Sequence, residues 1–543
     1  MRKVCATTFL LFVLSSLAVM ATTKQRHAIA NGRAHQPDAE PRSLSNVFSS
    51  DTGLCGKWKQ LGLRIEGSSR FEYSGSSIST SADGRTIAIG SPYNSDVEAH
   101  AGSVRIFRIR DDVWKPFGGV LSGKSKDDLF GSSIAVSSNG RIIAIGSKGF
   151  ASDSMKLGRV KVFSYDFQSK SWIKMGNVII GTIESQGLGS SIAISADGQT
   201  LAVTSAGSAS KTATTLYKYN SIYEKWKQHG EILLEEEPKY IGDGVSVSLS
   251  DDGNIVAIGS KQNSKNGKSA GSVRIFEYDY LSETYEQMGT TIYGKNEGDN
   301  FGSSISLAGD GNIIAIGSDG YSNNTGCTMI YRYRQKDFDW KMVGNKILGE
   351  AKKAYAGTSV SISAEGDVVA VGSIGMNKFG DSSGHTNLYR FDGFVFQWQK
   401  VGNSIFGKER DELSGSNIQL SKDGNTVIVA APMSSLGAKY SGLTRAYAFE
   451  PSETCAPTLS PTLNPTKKPT LSPTIFPTHF PTRSPTFHPT ASPSNIPTAP
   501  SSARPSFSPS KLPSIVPTSL PSSFPTGKPS SLPTNWPSTS PSS

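Results

Sequence analysis

The sequence predicts an all-β protein, a ring of seven four-stranded blades forming a β-propeller, with an extended tail after it. Three observations carry this prediction. A segment of 17 residues recurs seven times at a nearly constant period, two further strand patterns follow each copy but the last, which has one, and the recurrence ends where a proline repeat begins.

The copies read GSSISTSADGRTIAIGS over 75–91, GSSIAVSSNGRIIAIGS over 131–147, GSSIAISADGQTLAVTS over 189–205 and GVSVSLSDDGNIVAIGS over 244–260. They continue as GSSISLAGDGNIIAIGS over 302–318, GTSVSISAEGDVVAVGS over 357–373 and GSNIQLSKDGNTVIVAA over 415–431. Their turn glycines, Gly84, Gly140, Gly198, Gly253, Gly311, Gly366 and Gly424, are 55 to 58 residues apart. A fixed period of this kind marks stacked supersecondary units. Apolar and small polar residues alternate before an Asp-Gly or Asn-Gly pair and an apolar run follows it, which is a hairpin pattern whose Asp or Asn beside Gly supplies positive φ. The small Gly and Ser residues of the first strand fit crowding near a central axis.

A third strand follows each hairpin after a variable loop, as in VRIF over 104–107, VKVF over 160–163 and VRIF over 273–276. A fourth is marked by Trp or Tyr four residues before Gly, as in WKPFG over 114–118, WIKMG over 172–176 and YEQMG over 285–289. Four strands make one blade. The pattern WKQLG over 58–62 precedes the first hairpin, and none follows the last third strand near Phe449. The N-terminal strand is therefore expected to complete the last blade, closing the ring and removing its open edges.

The ends set the domain plan. Arg2 and Lys3, the apolar run from Phe9 to Val19 and the small residue Ala21 form a secretory signal over 1–21. Residues 22–54 read as a polar disordered leader, 55–455 as the propeller and 456–543 as a Pro/Thr/Ser-rich tail. No downstream run is long enough to cross a bilayer as a helix, so no membrane span is expected. From Pro457 to Pro541 a proline falls at every fourth position, with one slip at Pro500. Such a segment should be extended and polyproline-like, reaching roughly 270 Å at ~3.1 Å per residue. Of the formal charge of +10, two units lie in the signal and six after Glu453, leaving two for the rest. The propeller has no charge excess to neutralise phosphates, and nucleic acid is not an expected partner.

Little in the sequence points to chemistry. The seven histidines lack metal-ligand spacing, and GxSxG, P-loop and CxxC patterns do not occur. No catalytic residue, metal or cofactor is assigned. Asp83, Asp197, Asp252, Asp310 and Asp423 share one hairpin position, where an Asx side chain bonds its own backbone. Asn139 and Glu365 hold that position in the other two blades. Glu72, Asp128, Asp299 and Glu412 stand three residues before the inner-strand glycine and are candidate ligand-binding carboxylates around one mouth of the channel. Loop capping and pairing with Lys124, Lys295 and Lys408 is the competing reading. The divergent loops between second and third strands, such as 92–101 and 374–383, open on the same face. Asn323 begins an N-x-T acceptor for glycosylation. Outside the signal the cysteines are Cys55, Cys327 and Cys455. Antiparallel closure brings the flanks of the closing pair together, so a Cys55–Cys455 disulfide is expected, with Cys327 a buried free thiol.

The string SADGRTIAIGS with GSVRIF resembles the tryptophan-aspartate propeller repeat, and FGSSI at Phe130 and Phe301 resembles the FG-GAP repeat of integrin-type propellers. The Gly-His and Trp-Asp dipeptides of the first and the calcium loop of the second are missing. These resemblances imply an interaction platform. The Pro-Thr-x-x tail resembles those of secreted cell-wall proteins of silica-walled microalgae. The function expected is a secreted, non-enzymatic binding or structural scaffold, wall- or matrix-associated and monomeric, with the tail as a cationic spacer or anchor. Its partner would be an extracellular polysaccharide, a wall polymer or a protein. A secreted carbohydrate-active or other hydrolytic enzyme using the loop face is the alternative.

Overall fold

A computed structural model of the chain describes residues 56–152, 155–183, 187–205, 212–234 and 245–452. Its seven blades are antiparallel sheets, six of them ordered from inner to outer strand as in the sequence, and Ala151–Ser152 pairs with Met155–Lys156 in a separate two-stranded ribbon. The first blade comprises Ser77–Thr80, Thr86–Ser91, Ser103–Arg110 and Val113–Pro116, and its outer strand resumes at Leu121–Ser122. The second strands are the most apolar, and that of the first blade is buried along its whole length. Hydrophobic clusters lie between blades rather than within them. One joins Ile255, Ile275 and Met288 of the fourth blade to Ile314, Met329 and Trp340 of the fifth.

The ring closes as expected. Gly56–Gln60 pairs antiparallel with the last strand, placing Gly56 opposite Pro451, Trp58 opposite Phe449 and Gln60 opposite Tyr447. The last blade thus takes its outer strand from the opposite end of the chain.

The Trp-x-x-x-Gly spacing has a physical reason. Each outer-strand glycine interrupts its strand at positive φ, from 68° at Gly62 to 79° at Gly118. A Cβ there would meet the next blade's Trp ring, at 2.9 Å for Gly62 and 2.7 Å for Gly118. The indole N–H in turn donates to the carbonyl just before that glycine. Six such bonds of 2.8–3.1 Å join the blades at their rim, from Trp114 to Leu61 through Trp58 to Val401. Tyr285 takes the Trp position in the fourth blade, and its hydroxyl has no partner.

Two expectations change in their cause. The small residues of the inner strands answer to blade contact rather than to crowding at the axis. A Cβ on Gly131 would stand 2.8 Å from the carbonyl oxygen of Ser103 in the preceding blade, and Ser77 Oγ of that blade donates to the Gly131 carbonyl. At the hairpin turns it is glycine that supplies positive φ, 66–76° over the seven copies. The neighbouring Asp or Asn instead accepts the N–H two residues on, as Asp83 does from Arg85 and Asn139 from Arg141. In the sixth blade Glu365 leaves this role, and Ser363 Oγ donates to Asp367.

Candidate binding face

The hairpin turns define one face of the ring and the long loops the other. On the turn face, backbone N–H groups bond from blade to blade in one unbroken circle of seven. Ala82 donates to Ser138, then Ser138 to Ala196, Ala196 to Asp251, Asp251 to Gly309, Gly309 to Ala364, Ala364 to Lys422 and Lys422 to Ala82, all at 2.8–2.9 Å. The channel inside this circle is a cavity of about 230 Å³ lined by the inner strands. Asp251 and Lys422, from the fourth and seventh blades, form an ion pair of 2.6 Å in its lining.

On the loop face, the four candidate carboxylates turn inward. Glu72, Asp128, Asp299 and Glu412 are all buried, none more than 4 % exposed. Each caps its own loop. Glu72 accepts from Ser68 N–H and Asn94 Nδ2, Asp128 from Lys124 N–H, Asp299 from Asn296 N–H, and Glu412 from the N–H groups of Lys408 and Glu409. Three also face an arginine of the third strand of their own blade: Glu72 with Arg105, Asp128 with Arg159 and Glu412 with Arg445. The structure thus holds each of them by bonds within its own blade. It places them under the loops, because a loop that crosses between blades must satisfy its backbone N–H groups out of reach of water. Lys124 and Lys408 take part through their backbones, Asn296 does so where Lys295 was expected, and arginines supply the countercharge to three of the four.

What the loop face does present was not singled out from the sequence. Among the described residues, the loops leading into six of the inner strands lace onto the loop of the preceding blade. At five seams two left-handed residues meet there: Tyr73 with Tyr440, Leu129 with His100, Asn300 with Ser269, Tyr355 with Asn324, and Leu413 with Ser382. The lacing is part of the repeat, so positive φ at these sites belongs to the loop type. Of these five, only the seam between the seventh and first blades is filled by two aromatic residues. Around it runs a row of rings in successive contact. Phe71 lies 5.8 Å from Tyr440, Tyr440 stacks on Tyr73 at 6.0 Å and 9°, Tyr73 meets Tyr93 edge-on at 5.4 Å, and Tyr93 meets His100 at 5.6 Å. Phe71 and Tyr93 are both more than 40 % exposed. The rim of the row is polar. His100 bonds Asp127, Ser69 bonds Asp96, and the Lys439 ammonium lies over Phe71 and Tyr440.

Other predicted positions are also located. Asn323 is exposed, in the short turn Tyr321–Asn324, whose last three residues have positive φ, on the loop between second and third strands of the fifth blade. Cys327 opens the third strand of that blade as a buried free thiol, and burial pushes its pKa up to about 12. Cys55 and Cys455 lie outside the described residues, as do the signal, the leader and the tail. Among the described residues no group of acidic, His or Cys side chains could hold a metal ion, and no helix is long and apolar enough to cross a membrane.

No protein-family model matches the sequence, and no curated protein matches it. Solved structures do. A periplasmic gluconolactonase from Pseudomonas aeruginosa is 13% identical, with a TM-score of 0.47, and the match covers 68% of this chain and 93% of that one. The C-terminal WD40 domain of Sif2 is 15% identical, with a TM-score of 0.44, over 73% of this chain and 99% of that domain.

Proposed function

We propose that the protein is a secreted, non-catalytic binding scaffold of a cell wall or extracellular matrix, with its ligand on the loop face and its Pro/Thr/Ser tail acting as a cationic spacer or anchor. The observation that supports this is the ring row at the seam of the seventh and first blades, exposed at Phe71 and Tyr93 and half-buried at Tyr73 and Tyr440. A file of touching aromatic rings left partly in water is costly and is characteristic of binding faces. The inward turn of Glu72, Asp128, Asp299 and Glu412 points the same way, since a buried, bonded carboxylate is not free to transfer a proton to a ligand above it.

Expression of the full chain in a secreting eukaryotic host tests both halves of the proposal. The medium should contain a protein whose mass falls on enzymatic N-deglycosylation, through Asn323. That protein should bind at least one member of an array of neutral glycans, charged wall polymers and matrix proteins. Retention inside the cell would overturn secretion, and binding to nothing on the array would overturn the scaffold reading.

A further inference from the structure

We infer that the row Phe71, Tyr440, Tyr73 and Tyr93 is a saccharide-binding platform that takes a neutral polysaccharide, its sugar rings lying on the tyrosine faces. The inference rests on the binding reading above and names the chemical class of the ligand. Three features of the site lead to it.

The first is shape and composition. A pyranose ring has an apolar C–H face and a hydroxyl rim, and a single file of aromatic rings bordered by hydrogen-bonding groups is its complement. Ring faces gain from contact with such an apolar face while the tyrosine hydroxyls stay wet. A peptide-binding hot spot would instead be a wider, desolvated pocket ringed by further apolar contacts. The second feature is charge. Arg70, Lys439, Asp96, Glu98 and Asp127 are exposed on the loops that carry the row, with both signs represented. A rim of mixed sign offers donors and acceptors to hydroxyls and does not select a polyanion. Lys439 now lies over Phe71 and Tyr440, at 5.5 and 5.7 Å. Its exposed ammonium is free to swing aside and donate to a ligand hydroxyl.

The third feature is the comparison that the repeat itself provides. Five seams share the same laced backbone and the same left-handed pair, yet four are filled by Leu, His, Asn, Ser or a lone Tyr. Folding of the seam therefore does not call for two aromatic residues. Their presence at one seam is a property of the surface and not of the loop.

That comparison also supplies variants that the fold accepts. Tyr73→Leu places there the residue found at 129 and 413, and Tyr440→Ser the residue found at 269 and 382, each with φ of 51–52° in its own blade. The full-length protein and both variants are to be titrated with soluble dextran, mannan, xylan and laminarin, with heparin and gelatin as polyanion and protein probes. Circular dichroism and thermal melting establish that the variants remain folded. The expected result is that one or more of the neutral polysaccharides binds the native protein and that each substitution weakens it about tenfold, the order of one lost stacking contact. Neutral polysaccharide binding unchanged in both folded variants would overturn the platform. So would a native protein that binds none of the four. Salt-sensitive binding of heparin alone, or of gelatin alone, would also overturn the saccharide assignment while leaving the scaffold reading standing.

Discussion

His385 shows how one residue ties this fold to pH. It opens the third strand of the sixth blade, where other blades carry Ser103, Ser272 or Cys327, and it is 1 % exposed. Asn387 donates through Nδ2 to Glu350, and His385 Nε2 lies 2.9 Å from the same amide nitrogen. Lys400 also bonds Glu350, so one carboxylate and one ammonium are the charges this imidazole feels. Burial dominates and lowers its pKa to about 4. The unfolded chain, with the ordinary value near 6.5, binds the proton more readily, so stability from the neutral ring is fully present above pH ~6.5 and is lost as pH falls toward 4. The shift corresponds to about 3 kcal/mol once pH is below both values. Urea titrations between pH 7 and 4 should show this decline, and His385→Ser should flatten it. An equal slope in the variant would assign the effect to other groups.

At the scale of the element, the closing strand combines every device used elsewhere in the ring. Trp58 packs on Phe449 at 5.2 Å, donates its indole N–H to the Val401 carbonyl and donates its backbone N–H to Asn403 Oδ1. The strand also covers the edge of the last strand, which would otherwise offer a row of open hydrogen-bonding groups. Deleting residues 56–66 should therefore lower the melting temperature and cause self-association at that edge. Trp58→Ala, which keeps the strand but removes its anchor, should cost about 3–5 kcal/mol, as for other buried large-to-small changes. Light scattering separates the two, because only the deletion exposes an edge. A truncated protein that melts like the native one and stays monomeric would contradict the role given to this strand.

For the whole molecule, the joint between first and last blades is made at three heights. The loops lace at Ser74 and Gly442, the turn circle passes from Lys422 to Ala82, and the outer strand crosses from the N-terminal end. A seam held at all three levels behaves as any other seam of the ring. The strand register puts Gly56 opposite Pro451, with Cys55 one residue before and Cys455 four residues after that pair. We propose a disulfide between them, closing a loop of about 400 residues with a stabilisation on the order of 5 kcal/mol in the chain-entropy description. Non-reducing peptide mapping should find Cys55 joined to Cys455 and Cys327 alkylated only after unfolding. A bridge to Cys327, or free thiols at both outer cysteines, would sink the proposal.

Blade number, strand order and the offset of the ring could be read from the chain alone, because each rests on patterns within about sixty residues that repeat seven times. The Trp58 motif standing before the first hairpin, with none after Phe449, was enough to foresee closure. The fate of Glu72, Asp128 and Glu412 was less visible. A carboxylate signals charge but not direction, and the arginines that hold two of them lie 31 and 33 residues further on. A clue did exist in the Arg of the third-strand patterns around 105, 159 and 445. The ring row could not be read at all by local pattern, since Phe71, Tyr73 and Tyr93 come from the start of the repeats and Tyr440 from their end. Periodicity reports what every blade does alike, through hydrogen bonding and burial that recur with the backbone. What one seam does differently is decided only when closure brings the two ends of the chain side by side.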